Sequence, residues 1–233
     1  MGAIGGADGC RGGWVLAVRD DETAVPRLSL CSSVQEIFQI EPQLALLAID
    51  IPIGLPATGA RACDVLARRL LKRRGCCVFP APIRPVLAAA GYREASDLRR
   101  SVEGRGMSRQ AWGIAAKVRE VDDFLRSTPE LWERVRESHP EVSFALMAGG
   151  DACRGMKKSP AGRLERRELL ERNGLLVPAR RPADSRGIRC TEDDLLDALA
   201  VLWTAGRVVH GRAVGFPQDA PRDACGLRME IVA

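Results

Sequence analysis

Apolar residues in the first fifty positions form short runs that predict four strands and one helix. The strands lie at roughly 3–8, 13–19, 26–31 and 44–50, and the helix lies at roughly 33–40. The fourth run is continuously apolar and is followed by prolines, which favours a buried central strand over a helix. Glycines and acidic residues between the runs are turn signals. The order predicts an antiparallel three-stranded meander, then a helix and a parallel return strand.

After residue 50 the apolar residues recur mainly with helical spacing. Amphipathic helices are predicted at about 61–74, 108–126, 160–172 and 191–209, with a fifth strand at about 131–138 and a short edge strand at 227–232. The pattern therefore predicts an α/β fold, in which a mixed five-stranded sheet has helices on its faces. We expect one domain over residues 1–233, with a mainly helical insertion at about 57–130 after the fourth strand.

Four aspartates occur where apolar segments should be buried. Asp194 and Asp197 stand three residues apart on the last predicted helix, so they project from one face and repel each other. Asp8 closes the first apolar run, and Asp50 closes the fourth. A divalent cation such as Mg²⁺ or Mn²⁺ would convert the repulsion into coordination, since hard ions take carboxylate oxygens. The alternative for Asp8 and Asp50 is that each caps a turn after its strand.

Composition limits the classes of protein that could carry such a cluster. Apolar residues make up 46% of the 233 positions, which suffices for a full core, whereas aromatic residues make up only 4% and offer few platforms for stacking bases. A formal charge of +5 alone supports weak affinity for polyanions. Since there is no apolar run of about 18 residues and no signal pattern, we expect a cytoplasmic protein without membrane contact. The eight cysteines should then be reduced thiols.

The chain resembles the domain of unknown function 429 family, whose members are predicted ribonuclease H-like nucleases. The motifs that carry the resemblance are DGCRGGW at 8–14, IDIPIGLP at 49–56, VFPAP at 78–82, SRQ at 108–110, KVREVD at 117–122, ESHPE at 137–141, DDLLDA at 193–198 and GLRME at 226–230. The segment from Asp194 to Ala200 is also similar to the closing-helix motif of Holliday-junction resolvases. The order of predicted elements matches the ribonuclease H-like fold, which keeps acids on its first strand, fourth strand and closing helix.

The resemblance implies a nuclease that hydrolyses phosphodiester bonds in DNA or RNA. Two magnesium or manganese ions about 4 Å apart would activate water and stabilise the leaving oxygen. Asp8 is the expected ligand of both ions, while Asp50 and Asp197 each bind one of them. Asp194 is the expected fourth ligand, or an acid that holds water on the metal. Asp193, by contrast, suits the first turn of the helix, where a carboxylate complements the macrodipole.

A second group of polar residues, Glu137, His139 and Glu141, follows the fifth predicted strand. His139 is a candidate for moving a proton to or from the attacking water or leaving group, since histidine titrates near neutrality. Its alternative role is structural, at the start of a helix. Glu137 is a candidate to complete the acidic cluster, whereas Glu141 could simply complement a helix dipole.

Candidate substrate contacts come from three residues near the predicted cluster. Arg11 could contact the scissile phosphate or could close the hairpin after the first strand. Lys117 and Glu120 have a spacing typical of an exposed ion pair, although the resemblance favours a place in the substrate groove, with Lys117 on phosphate.

Two basic groups would give sequence-independent affinity for nucleic acid if they flank the acids; otherwise they are solvated helix faces. They are Arg61, Arg68, Arg69, Lys72, Arg73 and Arg74, and Lys157, Lys158, Arg163, Arg166 and Arg167.

Other functions remain open at the level of sequence. An ATP-dependent phosphoryl-transfer enzyme of the actin-like type shares the meander and the first aspartate, but would normally need two such domains and glycine-rich phosphate loops. A non-catalytic metal- or nucleic-acid-binding module of the same fold is a third possibility. A homodimer is also open, because resolvase-like enzymes cut as dimers.

Overall fold

The main sheet of the computed structural model, which describes residues 2–233, has the order β3-β2-β1-β4-β5. Its strands are β1 (Ile4–Cys10), β2 (Gly13–Arg19), β3 (Arg27–Cys31), β4 (Leu46–Asp50) and β5 (Val135–Glu137). The first three strands form an antiparallel meander, while β4 and β5 run parallel to β1. This mixed sheet has the ribonuclease H-like arrangement that the sequence predicts.

Seven α-helices accompany the sheet within the described part of the chain. They are α1 (Val34–Ile40), α2 (Ala62–Leu71), α3 (Tyr92–Glu103), α4 (Arg109–Ser127), α5 (Pro140–Met147), α6 (Pro160–Arg172) and α7 (Glu192–Val209). The segment between β4 and β5 holds α2 to α4 and the 3-10 helices Lys72–Cys77 and Arg84–Ala88. None of the helices in residues 2–233 has the length and apolarity required to span a membrane.

The two faces of the sheet have separate apolar cores. On one face, Ile4, Val15, Ala17 and Ala48 pack with the leucines and alanines of α7. On the other face, alternate residues of the same strands pack with α1 and α4. Because side chains alternate along a strand, the residues two and four positions after Ile4, Gly6 and Asp8, also face α7.

Several predicted boundaries differ from the structure. The first strand does not end at Asp8 but continues to Cys10, because a two-residue turn at Arg11 and Gly12 lets Cys10 pair with Gly13. The fifth strand covers only Val135–Glu137 of the predicted 131–138, since the preceding Pro129–Leu131 forms a 3-10 turn. At the C-terminal end, only β7 (Ile231–Val232) is extended within 227–232, and it pairs with β6 (Gly215–Phe216).

Candidate metal centre

The first two acids of the site lie side by side on the central strands. Asp8 of β1 is the direct register partner of Asp50 in the parallel strand β4. Neighbouring residues at one register position point to the same face of a sheet, so both carboxylates face the layer of α7. The structure thus brings together the two strand aspartates that the sequence predicts as metal ligands.

Helix α7 brings the third acid, Asp197, to the same place. Its approach depends on Gly6, because a Cβ atom at that position would overlap the backbone of Ala198 and Leu202. A residue with no side chain therefore allows α7 to lie directly on β1. Asp197, the residue before Ala198, is 2% exposed and lies beside the strand acids.

Asp8, Asp50 and Asp197 form what we call the carboxylate triad. Each has one carboxylate oxygen within 4.8 Å of such an oxygen in the other two, a spacing suited to a shared cation. One oxygen of Asp197, Oδ1, is buried and has no hydrogen-bond partner among residues 2–233. A buried acceptor without a donor is costly, and a bound ion would satisfy it. The residues therefore fit a hard divalent cation such as Mg²⁺ or Mn²⁺.

The pKa values of the three triad carboxylates are raised, so their ionised forms need a cation nearby. Burial raises the pKa of Asp197 from 3.8 to about 7, with Lys157 opposing the rise and Asp50 adding to it. Burial, together with the charges of Asp197 and Asp50, also raises the pKa of Asp8 well above its ordinary value. The pKa of Asp50 is raised by burial, although His139 and Lys157 oppose the change. All three carboxylates are therefore harder to ionise than acids in water.

Lys157 is the cationic side chain that contacts the triad directly. It lies in the loop before α6, and its Nζ donates to Oδ2 of Asp197 in an ion pair. Burial alone would lower the pKa of Lys157, but Asp197 and Asp8 reverse the effect and raise it. Its ammonium group thus compensates part of the negative charge in the absence of metal.

The triad opens into a pocket of about 510 Å³ between the sheet, the insertion and the loop that carries Lys157. Besides the triad, its charged lining residues are Arg61, Asp64, Arg74, Lys117, Glu137, Glu141, Lys157 and Lys158, and His139 also lines it. Its apolar lining residues include Ile51, Val78, Phe79 and Ile114. The pocket therefore combines carboxylates and cations with an apolar wall.

The predicted fourth ligand, Asp194, is neither a member of the triad nor a lining residue of the pocket, although its charge adds to the rise in the pKa of Asp8. Asp194 closes a capping box at the start of α7. Its Oδ2 accepts from the backbone N–H of Thr191 at 2.8 Å, and the backbone N–H of Asp194 donates to the Thr191 hydroxyl. The neighbouring Asp193 accepts from Arg163 at 2.7 Å. Both acids thus stabilise the start of the helix, a role that the sequence prediction gave to Asp193 and Glu192 but not to Asp194.

Glu137 lines the pocket but is held by a buried arginine. Arg61 donates to both of its carboxylate oxygens at 2.7 Å, and the backbone N–H of Ile53 donates to Oε2 at 2.7 Å. Burial raises the pKa of Glu137 to about 7, while Arg61 opposes the rise. With its oxygens occupied in this way, Glu137 anchors the insertion to β5 and does not join the triad.

His139 does line the pocket, and its ring also caps α5. The Nδ1 atom accepts from the backbone N–H of Glu141 at 3.2 Å. The cap uses Nδ1 as an acceptor, so a role for Nε2 in moving a proton requires Nδ1 to become protonated and the cap to open. Capping also fixes the position of the ring at the edge of the site.

Of the three predicted substrate contacts, Lys117 alone lines the pocket. Its Nζ lies 4.3 Å from the centre of the Trp14 ring, and burial lowers its pKa. Arg11 is exposed, and its carbonyl accepts from the backbone N–H of Arg189 at 2.9 Å, outside the pocket lining.

Glu120 is also absent from the pocket lining. It accepts from Trp14 Nε1 at 3.0 Å and from the backbone N–H of Val34 at 2.6 Å, and it makes no ion pair with Lys117. It therefore ties α4 to β2 and α1, a role that depends on contacts distant in sequence.

Sequence reasoning did not assign a role at the site to Lys157, and it gave Glu141 only the role of complementing a helix dipole. Lys157 belonged only to a basic group, and no local pattern indicated contact with Asp197, forty residues away. Glu141 is buried; its Oε1 accepts from Arg166 at 2.5 Å, while its Oε2 has no partner among residues 2–233. It lines the pocket as a further acid close to the triad.

Comparison with known proteins gives one match. A family model described as "Protein of unknown function (DUF429)" matches residues 6–222. No curated protein and no solved structure matches the chain. The match covers all three members of the triad, so the site lies within the region that defines the family.

Proposed function

The chain belongs to the DUF429 family of proteins of unknown function, and we propose that it is a metal-dependent nuclease that hydrolyses phosphodiester bonds. The observation that carries the proposal is the triad: three carboxylates within 4.8 Å, two from adjacent central strands and one from a packed helix. Such a group lowers stability unless it binds a cation, since burial and mutual repulsion oppose its ionisation. It occurs at the pocket of a ribonuclease H-like sheet, beside basic side chains.

Mg²⁺ or Mn²⁺ would be held by Asp8, Asp50 and Asp197. When bound, such ions lower the pKa of water and neutralise charge that develops on the phosphate in an in-line displacement. With three ionised carboxylates and the Lys157 ammonium group, the site keeps two uncompensated negative charges. This charge favours a divalent cation over a monovalent one.

The surrounding side chains can orient the substrate and move protons. Lys117, Lys157 and Lys158 line the same pocket as the triad and would bind the non-bridging oxygens of a phosphate. His139 would carry a proton from Nε2 to the leaving oxygen when its ring is protonated at both nitrogens, a form in which Nδ1 no longer accepts from the N–H of Glu141. Hydrolysis then adds the oxygen of water to phosphorus and breaks the bond to the ester oxygen.

Cleavage assays with purified protein test the proposal. Single-stranded DNA, duplex DNA and RNA should be screened with Mg²⁺ or Mn²⁺, with excess chelator, and with ATP hydrolysis measured in parallel. We expect metal-dependent cleavage, and we expect Asp8→Asn and Asp197→Asn each to reduce it. Loss of a residue that only supports a metal ligand lowers activity roughly 10- to 100-fold, so loss of a ligand itself should lower it further.

Asp193→Asn is the matched control, because it makes the same change on the same helix outside the triad and should retain activity. Folding of each variant should be checked by thermal unfolding. Metal-dependent ATP hydrolysis without cleavage of any nucleic acid would refute the proposal. So would cleavage that survives both triad substitutions.

A further inference from the structure

The pocket above the triad has the size of a small-ligand site. Its volume of about 510 Å³ lies within the roughly 300–1,000 Å³ of pockets that enclose small molecules. The sheet and Asp197 contribute the acids, whereas Val78 and Phe79 after α2, Ile114 of α4 and the loop at Lys157 contribute the walls. The insertion therefore forms one wall of the pocket that contains the reacting centre.

The basic residues of α6 do not form a track for a nucleic-acid backbone. Each of its first three arginines is paired with an acid: Arg163 with Asp193, Arg166 with Glu141 and Arg167 with Glu192. On the α2 side, Arg61 is buried between Glu137 and Asp64. The charges of Arg61 and of these three arginines of α6 are therefore neutralised within the protein and add little sequence-independent affinity for a long polyanion.

The pocket itself holds cations that are available to a phosphate. Arg74 donates only to the backbone carbonyls of Cys153 and Gly155. Lys158 is exposed and makes no hydrogen bond or ion pair within residues 2–233. Together with Lys117, whose Nζ also donates to the backbone carbonyl of Gly13, these side chains line the pocket that contains the triad. Such a group suits one phosphate, not a row of them.

Next to these cations stands an aromatic ring that the core does not use. Phe79 is 40% exposed and lines the pocket with Val78 and Ile114. Exposed aromatic rings in nucleic-acid sites stack on bases, since every base presents a π face. A ring, a group of cations and a set of metal-binding carboxylates in one small pocket match the base, the phosphate and the reacting bond of a single nucleotide.

We propose that the substrate is a nucleotide-sized phosphodiester, in which one nucleoside stacks on Phe79 and its esterified phosphate lies between the lysines and the triad. This inference rests on the proposed phosphodiesterase activity and narrows it. The same chemistry occurs at the end of a single strand and in small nucleotide diesters. The interior of a closed duplex does not present a nucleoside that can stack on Phe79 with its phosphate at the triad.

The test uses thymidine 5′-(p-nitrophenyl phosphate), methyl p-nitrophenyl phosphate, a short single-stranded oligonucleotide and closed circular duplex DNA, each with Mn²⁺. Hydrolysis of the first ester adds water to phosphorus and releases thymidine 5′-monophosphate, p-nitrophenolate and protons. We expect the full-length protein to cleave the thymidine ester and the strand end but not the circular duplex. Cleavage of the thymidine ester but not of the oligonucleotide would show that the substrates are small nucleotide diesters and not strand ends.

Phe79→Ala tests the stacking contact. It should raise KM for the thymidine ester about 10-fold or more while leaving kcat/KM for the methyl ester, which has no base, unchanged. Leu164→Ala is the control, since Leu164 is also exposed, at 57%, but lies outside the pocket. The unchanged methyl ester reaction also shows that the variant is folded.

Two results would overturn the inference in distinguishable ways. Cleavage of the circular duplex as fast as the thymidine ester, with no effect of Phe79→Ala, would refute the substrate class while the nuclease proposal stands. Failure to cleave any of the four substrates, although Mn²⁺ binds, would refute the proposed phosphodiesterase function itself.

Discussion

Replacing Asp197 by asparagine should stabilise the metal-free protein at alkaline pH. Burial raises the pKa of Asp197 from 3.8 to about 7, so its charged form is disfavoured in the folded state. Each tenfold change in proton affinity corresponds to about 1.4 kcal/mol, and the rise therefore corresponds to about 4 kcal/mol. The asparagine side chain carries no charge at any pH in this range, so the Asp197→Asn variant avoids this cost.

The sign of the effect follows from proton binding. Between about pH 4 and pH 7 the folded chain keeps a proton on Asp197 that the unfolded chain has released, so the stability of the wild type falls as pH rises through this window. In chelator, Asp197→Asn and wild type should differ by less than about 1 kcal/mol at pH 4.5. At pH 8 the variant should be more stable by up to about 4 kcal/mol.

Urea unfolding followed by tryptophan fluorescence measures these differences. A divalent ion at 100 times its Kd should then stabilise wild type by about 2.7 kcal/mol and leave the variant unchanged. Asp193→Asn, which loses only the partly exposed contact with Arg163, should cost about 1 kcal/mol or less at both pH values. A variant that is less stable than wild type in chelator at pH 8 would refute the reasoning.

Four further outcomes test the architecture of the site. Lys157→Gln should tighten Mn²⁺ binding roughly tenfold, or about 1.4 kcal/mol, because the ammonium group of Lys157 competes with the ion for Asp197. Titrations followed by electron paramagnetic resonance measure the Kd, and the control Lys158→Gln should change it much less. Gly6→Ala should destabilise the fold by about 3 kcal/mol in urea unfolding and weaken Mn²⁺ binding, since its Cβ would push α7 away. Arg61→Met should cost about 3–5 kcal/mol by leaving Glu137 buried without its partner, and Glu137→Met in the same chain should recover part of the loss. Mn²⁺ titration of the substrate-free protein should saturate at one ion per chain, because one divalent ion neutralises the net charge of the triad and Lys157. Saturation at two ions would contradict this charge balance.

The strand acids could be predicted from sequence because a local pattern determines their position. An apolar run that ends at Asp50 can pack only as a buried strand, and the meander before it makes β1 its neighbour. Helical spacing likewise predicted that Asp197 faces the sheet. These inferences need only side-chain periodicity and the rules of strand connection.

The contacts that the sequence analysis did not foresee have a different physical origin. Asp194 shares a helix face with Asp197, but it is also the third residue after Thr191, and at a helix start this spacing favours a capping box. That signal was present in the sequence and was given too little weight. The partners of Glu120 and Glu137 carried no such signal, since Trp14 and Arg61 lie 106 and 76 residues away. Only the folded chain shows that these acids are already bound.

The charge of the site links its metal content to its substrate. Three ionised carboxylates and one ammonium group leave two negative charges, which one divalent ion neutralises. A second ion would then give this largely buried centre a net positive charge with nothing to compensate it, which is unfavourable. A phosphodiester brings one negative charge and further oxygen ligands, and it can also draw Lys157 away from Asp197. Asp194 and Glu137, the acids that would otherwise supply the missing charge, are held by the start of α7 and by Arg61. A two-ion mechanism in this protein therefore requires the second ion to arrive with the phosphate, so that the complete catalytic centre forms only when substrate is bound.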